Sequence, residues 1–173
     1  MEKEKPKKGN KKKSVKVYTF EVFLLEAPVT EAFAKENPEV SRTIQILGNQ
    51  TLEKLHDVIF KAFDREDDHL YEFQLGNELH DPDGSCYVLP IDLESPFSED
   101  KNTAGDVTKT KIDSLNLVVE QSFGYWFDFG DDWMHQINVI SIDDKTPEGK
   151  YPRITERIGD SPPQYTDWDE EEE

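Results

Sequence analysis

The chain has 173 residues, of which 34% are charged, and its 38 acidic and 20 basic residues give a net charge of −18. No apolar run approaches the roughly 20 residues that a membrane-spanning helix needs, and a single cysteine supplies neither an intramolecular disulfide nor a cysteine-based zinc site. The basic N-terminus is not followed by the apolar stretch of a secretory signal. These features predict an acidic, cytoplasmic protein without a membrane segment, about one domain in length.

The two ends of the sequence carry opposite charges. Residues 1–16 contain eight lysines against two glutamates, whereas residues 167–173 contain six acidic residues around Trp168. Charge blocks that lack apolar periodicity repel themselves and remain unfolded. We therefore predict a disordered basic arm over residues 1–14, a single folded domain over 15–166 and a disordered acidic tail over 167–173.

The first half of the domain predicts two strands and a helix. Residues 15–26 are rich in β-branched and aromatic side chains, which favours a strand, and residues 40–47 predict a second one. Residues 52–63 place apolar side chains at spacings of three and four, the pattern of an amphipathic helix. Thr51 is its expected N-cap, because a threonine hydroxyl accepts a free amide of the first turn.

The middle of the chain predicts weaker elements. Residues 69–75 indicate a third strand. Residues 86–93 predict a short edge strand, since Pro90 cannot donate to the ladder of a central strand. Residues 94–109 are polar and contain proline, glycine and serine, so a loop is expected there.

A β-hairpin is the last clear element. Residues 125–129 and 133–142 predict its two strands, and Gly130 is expected to supply a positive φ in the turn between them. Residues 145–166 are rich in proline, glycine and charge, which indicates an irregular segment. The order strand, strand, helix, strand and hairpin predicts an α+β protein, a roll resembling the ubiquitin-like β-grasp.

The predicted hairpin also contains the densest group of chemically active side chains. Around its turn lie three aspartates and an imidazole, in the run Asp128-Phe129-Gly130-Asp131-Asp132-Trp133-Met134-His135. Such groups hold divalent metals or form acid–base pairs, but aspartate and glycine are equally typical of a structural turn. Five aromatic residues within nine positions suggest either a binding surface or a core on both faces of the sheet.

Four segments of the sequence resemble one known family. They are YTFEVFLLE followed by SRTIQILGNQTLEKLHDVIFKAF, then DDHLYEF, YWFDFGDDWMHQINV and YPRITERIGDSPPQY. In this order they are similar to the plasmid pRiA open-reading-frame-three-like proteins, also labelled insertion-element passenger proteins, over residues 15–166. The resemblance implies a compact α+β domain of the roll type and associates the chain with mobile elements. Many relatives carry cysteines around the Pro-Pro pair, and this chain has none there, which argues against a metal or disulfide role in that segment.

These observations favour a non-enzymatic binding module that contacts another protein, with a basic partner as the complement of its acidic body. No catalytic residue, metal or cofactor is predicted. The candidate binding residues are Asp128, Phe129, Gly130, Asp131, Asp132, Trp133, His135, Tyr71, Glu72, Pro162, Pro163 and Tyr165. One alternative is a nucleic-acid accessory protein of a mobile element, which would bind through its lysine-rich arm. The other is a metal-dependent hydrolase at Asp128, Asp131, Asp132 and His135.

Overall fold

The computed structural model describes residues 14–76, 81, 83–93 and 103–169, and these residues build a mixed sheet of eight strands. The strands are β1 (Val17–Glu26), β2 (Ser41–Leu47), β3 (Tyr71–Leu75), β4 (Ser85–Val88), β5 (Thr103–Asp106), β6 (Ser122–Phe127), β7 (Trp133–Asp143) and β8 (Arg153–Ile158). They lie in the order β5-β4-β3-β6-β7-β1-β2-β8, and every neighbouring pair is antiparallel except β4 and β5.

Short helices connect the strands, and one longer helix covers the sheet. The helical segments are α1 (Glu31–Glu36), α2 (Leu52–Ala62), α3 (Pro90–Leu93) and a 3-10 turn over Ile112–Leu115. The hydroxyl of Thr51 accepts a hydrogen bond from the amide of Lys54 and so caps α2, as its sequence predicts. None of the helices within the described residues is long and apolar enough to cross a membrane.

The core lies between α2 and one face of the sheet. Because side chains alternate across a strand, β1 turns Tyr18, Phe20 and Val22 toward the helix, and all three are buried. Phe20 lies opposite Ile44 of β2 and Val139 of β7, so three adjacent strands contribute to the same layer. The other face of these strands carries partly exposed polar side chains, among them Glu21, Gln136 and Asn138.

The strongly patterned elements were predicted correctly. Strands occupy 15–26, 40–47 and 69–75 to within two residues, the helix over 52–63 is present, and a hairpin joins β6 to β7. The apolar face of α2 is buried as the periodicity required, through Leu52, Leu55, Val58, Ile59 and Ala62. The predicted charged ends fall mostly outside the described residues, which begin at Ser14 and end at Asp169.

Three weaker predictions are wrong. The edge strand expected over 86–93 corresponds to β4, which ends at Val88 because Pro90 begins α3. It is not an edge strand, since β5 pairs with the side of β4 that faces away from β3. The expected loop over 94–109 contains β5, and the irregular segment over 145–166 contains β8. Both missed strands lie at the edges of the sheet, where pairing with a neighbour compensates for a weak local preference.

The size of the sheet bears on the predicted fold class. The mixture of one large sheet with few helices agrees with an α+β protein. The eight strands exceed what a β-grasp contains, because β8 extends the sheet beyond β2 and β5 extends it beyond β4. The narrower prediction of a β-grasp roll is therefore not confirmed.

Candidate functional site

The acidic residues at the hairpin tip stabilise the turn itself. Asp128 Oδ1 accepts hydrogen bonds from the amides of Gly130, at 3.0 Å, and Asp131, at 3.2 Å. Asp132 Oδ1 accepts the indole N–H of Trp126 at 2.9 Å. Left-handed backbone occurs at Asp128 (φ 61°) and Asp132 (φ 56°). The prediction of a positive φ at Gly130 is therefore wrong. Aspartate tolerates this conformation because its side chain bonds to nearby backbone amides.

The imidazole of His135 faces the interior rather than the turn. Its Nδ1 donates to the carbonyl of Tyr125 at 3.1 Å, and its Nε2 lies 2.6 Å from Nη2 of Arg65. Burial first, and the Arg65 charge second, lower the pKa of His135 well below its ordinary value. His135 is therefore a neutral imidazole at neutral pH, and its Nε2 accepts a hydrogen bond from the arginine.

Arg65 is a buried cation surrounded by aromatic rings. Its Cζ atom lies 5.0 Å from the ring centre of Phe63, 4.7 Å from Phe127 and 5.0 Å from Trp133. The side chain is 7% exposed, and its Nε and Nη1 have no hydrogen-bond partner among the described residues. Burial lowers the pKa of Arg65 to about 10, so the guanidinium is charged at neutral pH.

A second histidine forms a polar chain beside this cation. The Tyr125 hydroxyl donates to His56 Nδ1 at 2.7 Å, and His56 Nε2 donates to Asp68 Oδ1 at 2.9 Å. The ring of His56 stacks on Tyr71 with 3.7 Å between ring centres and 2° between planes. Burial lowers the pKa of His56 against the opposing effect of Asp68, and it raises the pKa of Tyr125 well above its ordinary value. This series of hydrogen bonds therefore joins a protonated tyrosine, a neutral histidine and an aspartate side chain.

The C-terminal segment covers the outside of the loop that carries Arg65 and Asp68. Gln164 Oε1 accepts the amides of Glu66, at 2.7 Å, and Asp67, at 2.9 Å, while its Nε2 donates to the Asp67 carbonyl at 2.7 Å. Next to it, the Tyr165 hydroxyl donates to Asp67 Oδ2 at 2.8 Å and lies 3.2 Å from His69 Nε2. His69 in turn lies 3.5 Å from Asp128 Oδ2, which links this segment to the hairpin tip.

A groove runs between α1 and the same C-terminal segment. Its volume is about 280 Å³, and Val29, Phe33, Pro163 and Tyr165 supply its apolar lining beside Asp167. A second groove of about 180 Å³ is lined by residues of α1 and of the end of β1, and it shares Val29 and Phe33 with the first. The hydroxyl of Thr166 donates to the carbonyl of Pro28, which fixes the C-terminal segment to the approach of α1.

The structure divides the predicted site residues among four places. Tyr71, Trp133 and His135 lie in the interior around His56 and Arg65, where a partner surface does not reach them. The residues from Asp128 to Asp132 form the turn at the hairpin tip. Pro163 and Tyr165 line the groove, whereas Pro162 is buried. Glu72 lies on the face of the sheet opposite to α2, where it accepts a hydrogen bond from Gln74.

Several residues of this region were not predicted from the sequence. Arg65, Asp67 and Asp68 belong to a strongly charged run that is typical of a solvated loop, and a lone histidine such as His56 is more often a structural residue than a ligand. The available signal was their position, directly between the best-patterned helix and the third strand. Within the described ranges, no three His, Cys, Asp or Glu side chains are grouped to hold a metal ion.

The fold and its interior define an α+β protein with one large mixed sheet and a buried arginine–histidine pair. The chain belongs to the family of plasmid pRiA4b ORF-3-like proteins, whose model matches residues 30–167. The resemblance seen in the sequence is thereby confirmed.

Two relatives extend this comparison. The uncharacterized protein y4hQ of Sinorhizobium fredii (strain NBRC 101917 / NGR234) is 26% identical over 131 residues, which cover 73% of this chain and 59% of that protein. The chain therefore spans a little over half the length of this curated relative. The crystal structure of the protein of unknown function MM3350 from Methanosarcina mazei Go1 superposes with a TM-score of 0.63. It is 23% identical, with 83% of this chain and 70% of that one covered, and it shows the fold alone.

Proposed function

We propose that the chain is a non-enzymatic binding module that holds a basic, partly apolar segment of another protein. The observation that carries this proposal is the groove between α1 and the C-terminal segment, an apolar channel with an acidic rim. The hairpin takes part through its tip, since its inner aromatic side chains are already packed in the core.

The lining of the groove suits apolar side chains of a partner. Phe33 is partly exposed and the Tyr165 ring is 53% exposed, so both present aromatic surface to solvent. The Tyr165 hydroxyl is held by Asp67, which fixes the ring in one orientation before a partner arrives. Rigid aromatic side chains with a polar end are the groups that dominate binding energy at protein interfaces.

The charge around the groove favours a basic partner over an acidic one. Asp167 lines the groove and Asp67 contacts Tyr165. Asp128 lies 3.5 Å from His69, which in turn contacts the Tyr165 hydroxyl. The whole chain carries a net charge of −18, so its long-range field points the same way. Complementary charge accelerates association and excludes acidic competitors, and its effect decreases as salt is added.

Short synthetic peptides of defined composition test this proposal. One alternates lysine with leucine, one alternates glutamate with leucine, and one alternates lysine with serine. Binding is followed by backbone amide shifts of the full-length protein. We expect the lysine–leucine peptide to bind most tightly, to shift the amides of the groove and to weaken with salt. Equal binding of the glutamate–leucine peptide, or shifts confined to another surface, would refute the proposal.

Matched variants assign the binding to the groove. Tyr165→Ser removes a groove aromatic and should weaken binding of the lysine–leucine peptide about tenfold. Trp168→Ser removes an aromatic side chain that is also 53% exposed but does not line the groove, and it should leave the affinity unchanged. Equal losses in the two variants would show that surface aromaticity in general, rather than the groove, holds the peptide.

The two alternative functions differ in how much the described residues favour them. The nucleic-acid alternative depends on the lysine-rich arm, of which residues 1–13 lie outside the described part of the chain. Salt-dependent DNA binding that disappears when residues 1–14 are deleted is its test. The hydrolase alternative gains nothing from the hairpin geometry, because both ring nitrogens of His135 and one oxygen of Asp128 are occupied by protein partners.

A further inference from the structure

A separate cavity lies beside the start of β1, at the opposite end of this strand from the groove. Its volume is about 560 Å³, twice that of the groove. Two buried side chains, Tyr18 and Leu117, belong to its lining. The rest of the lining consists of exposed polar residues, namely Ser14, Lys16, Asp113, Asn116 and Asp144. The polar lining is therefore open to solvent, and a ligand reaches it without any movement of the fold.

One carboxylate of this cavity is fixed in place by the rest of the fold. The Tyr18 hydroxyl donates to Asp113 Oδ1 at 2.8 Å, and the Asp113 amide donates to the carbonyl of Gly48 at 2.9 Å. The carboxylate packs so closely on Gly48 that a Cβ atom there would lie 2.1 Å from Oδ1. Burial first, and the hydrogen bond with Asp113 second, raise the pKa of Tyr18 to about 12, so the hydroxyl is a donor at neutral pH. Asp113 is therefore held in one orientation before a ligand arrives, with Oδ2 as its remaining acceptor.

Charges of both signs line the cavity without pairing with each other. Asp113 and Asp144 supply two carboxylates, and Lys16 supplies one ammonium group. No ion pair joins Lys16 to either aspartate within the described residues. The lysine repels a simple metal cation, and the two carboxylates repel a simple anion. A molecule that carries both charges instead satisfies the lysine and the aspartates at once.

We propose that this cavity binds a small zwitterion, either a free α-amino acid or a dipeptide. The ammonium group of the ligand donates to Asp113 and Asp144, and its carboxylate accepts from Lys16, so both contacts are charge-assisted hydrogen bonds. The side-chain amide of Asn116 and the hydroxyl of Ser14 line the same cavity and serve the remaining polar groups of the ligand. The site shares no lining residue with the groove, so it does not depend on the binding of a basic segment there.

Titration of the full-length protein with L-alanine and, separately, with L-alanyl-L-alanine tests this inference. Ethylammonium and propionate are the references, because each has the size of alanine but carries only one of its two charges. The readout is the backbone amide shifts of Asp113, Asn116 and Asp144, with sodium chloride holding the ionic strength constant. We expect saturable shifts with a zwitterion, at a dissociation constant at least tenfold below that of either reference. The zwitterion that saturates at the lower concentration identifies the size of the ligand.

Two results of this titration would overturn the inference. Equal affinity for ethylammonium or for propionate would show that the cavity recognises a single charge. Linear drift of the three amides with all four compounds would show that it binds none of them.

Matched variants assign the binding to the cavity. Asp113→Asn keeps an acceptor for the Tyr18 hydroxyl but removes the charge, and Lys16→Gln removes the ammonium group. Each should weaken the saturating zwitterion about tenfold or more, because each removes a hydrogen bond between charged groups. Asp160→Asn is the control, since Asp160 is also exposed but lies outside the lining, and it should leave the affinity unchanged. Equal losses in all three variants, or no loss in either cavity variant, would refute the assignment.

Discussion

Gln164 provides a direct test of how the C-terminal segment is held to the rest of the domain. Its side chain is 6% exposed and makes three hydrogen bonds to the backbone of Glu66 and Asp67. The bonds are partly buried, so water replaces some of them when the side chain is removed. Gln164→Ala should therefore release the segment from the loop between α2 and β3 without disturbing the sheet.

The expected loss of stability follows from the number of bonds. One hydrogen bond contributes about 0.5–1.5 kcal/mol to the free energy of unfolding, so three contribute about 1.5–4.5 kcal/mol. Partial exposure of the freed backbone groups to water puts the loss near the lower end, at about 2 kcal/mol. For a chain of this length that corresponds to a fall in Tm of about 4–8 °C.

Urea denaturation followed by tryptophan fluorescence measures this loss. Gln136→Ala is the control, because Gln136 donates one side-chain bond, to Asn138, on the face opposite to α2. It should change the free energy of unfolding by less than about 0.5 kcal/mol. A Gln164→Ala loss no larger than that of the control would refute the reasoning and show that the segment is held by its other contacts.

Three further predictions address the interior and the turn. His56 and His135 have lowered pKa values in the fold, so the unfolded chain binds more protons than the folded one. The free energy of unfolding should therefore fall as the pH drops below about 6.5. The fall should reach up to about 2.7 kcal/mol per pH unit while both histidines remain neutral in the fold. Urea midpoints that stay flat between about pH 6.5 and 5.5 would contradict this. Arg42→Met removes the hydrogen bonds that a buried guanidinium gives to four backbone carbonyls. It should cost about 3 kcal/mol or more, measured by the same denaturation. Asp128→Ala removes two hydrogen bonds and places an alanine, which is less tolerant of left-handed backbone, at φ 61°. It should lower the free energy of unfolding by about 2–3 kcal/mol. Asp128→Asn keeps both features and should lower it by less than about 1 kcal/mol in the same assay.

The elements that could be predicted are those whose local pattern and tertiary role agree. The helix over 52–63 has an apolar stripe, a cap and an acidic first turn, and all of these act in the same direction. By contrast, β5 consists of Thr-Ala-Gly-Asp, which has little strand preference, and it forms because β4 offers a free edge. Edge strands of this kind depend on a neighbour that a single sequence does not reveal.

The residues in the interior also divide into those that the sequence pattern predicts and those that depend on distant neighbours. Alternation alone places Tyr125 and Phe127 on one face of β6 and Trp126 on the other, and the structure agrees. Which of these faces meets α2 depends on the packing of the whole sheet. Arg65 lies in an acidic run that predicts a solvated loop, and its burial arises from rings on Phe63, Phe127 and Trp133, which are brought together from distant parts of the chain.

One loop connects the outer groove with the interior cation. Its residues bond in different directions, since Arg65 and the exposed Asp68 bond to the buried histidines His135 and His56, while Asp67 bonds to Tyr165 at the groove. The groove therefore depends on the same loop that the interior holds in place, since Asp67 fixes Tyr165 while its neighbours Arg65 and Asp68 bond to buried histidines. Salt weakens a basic peptide held by carboxylates at the rim of the groove, but it leaves these hydrogen bonds in place.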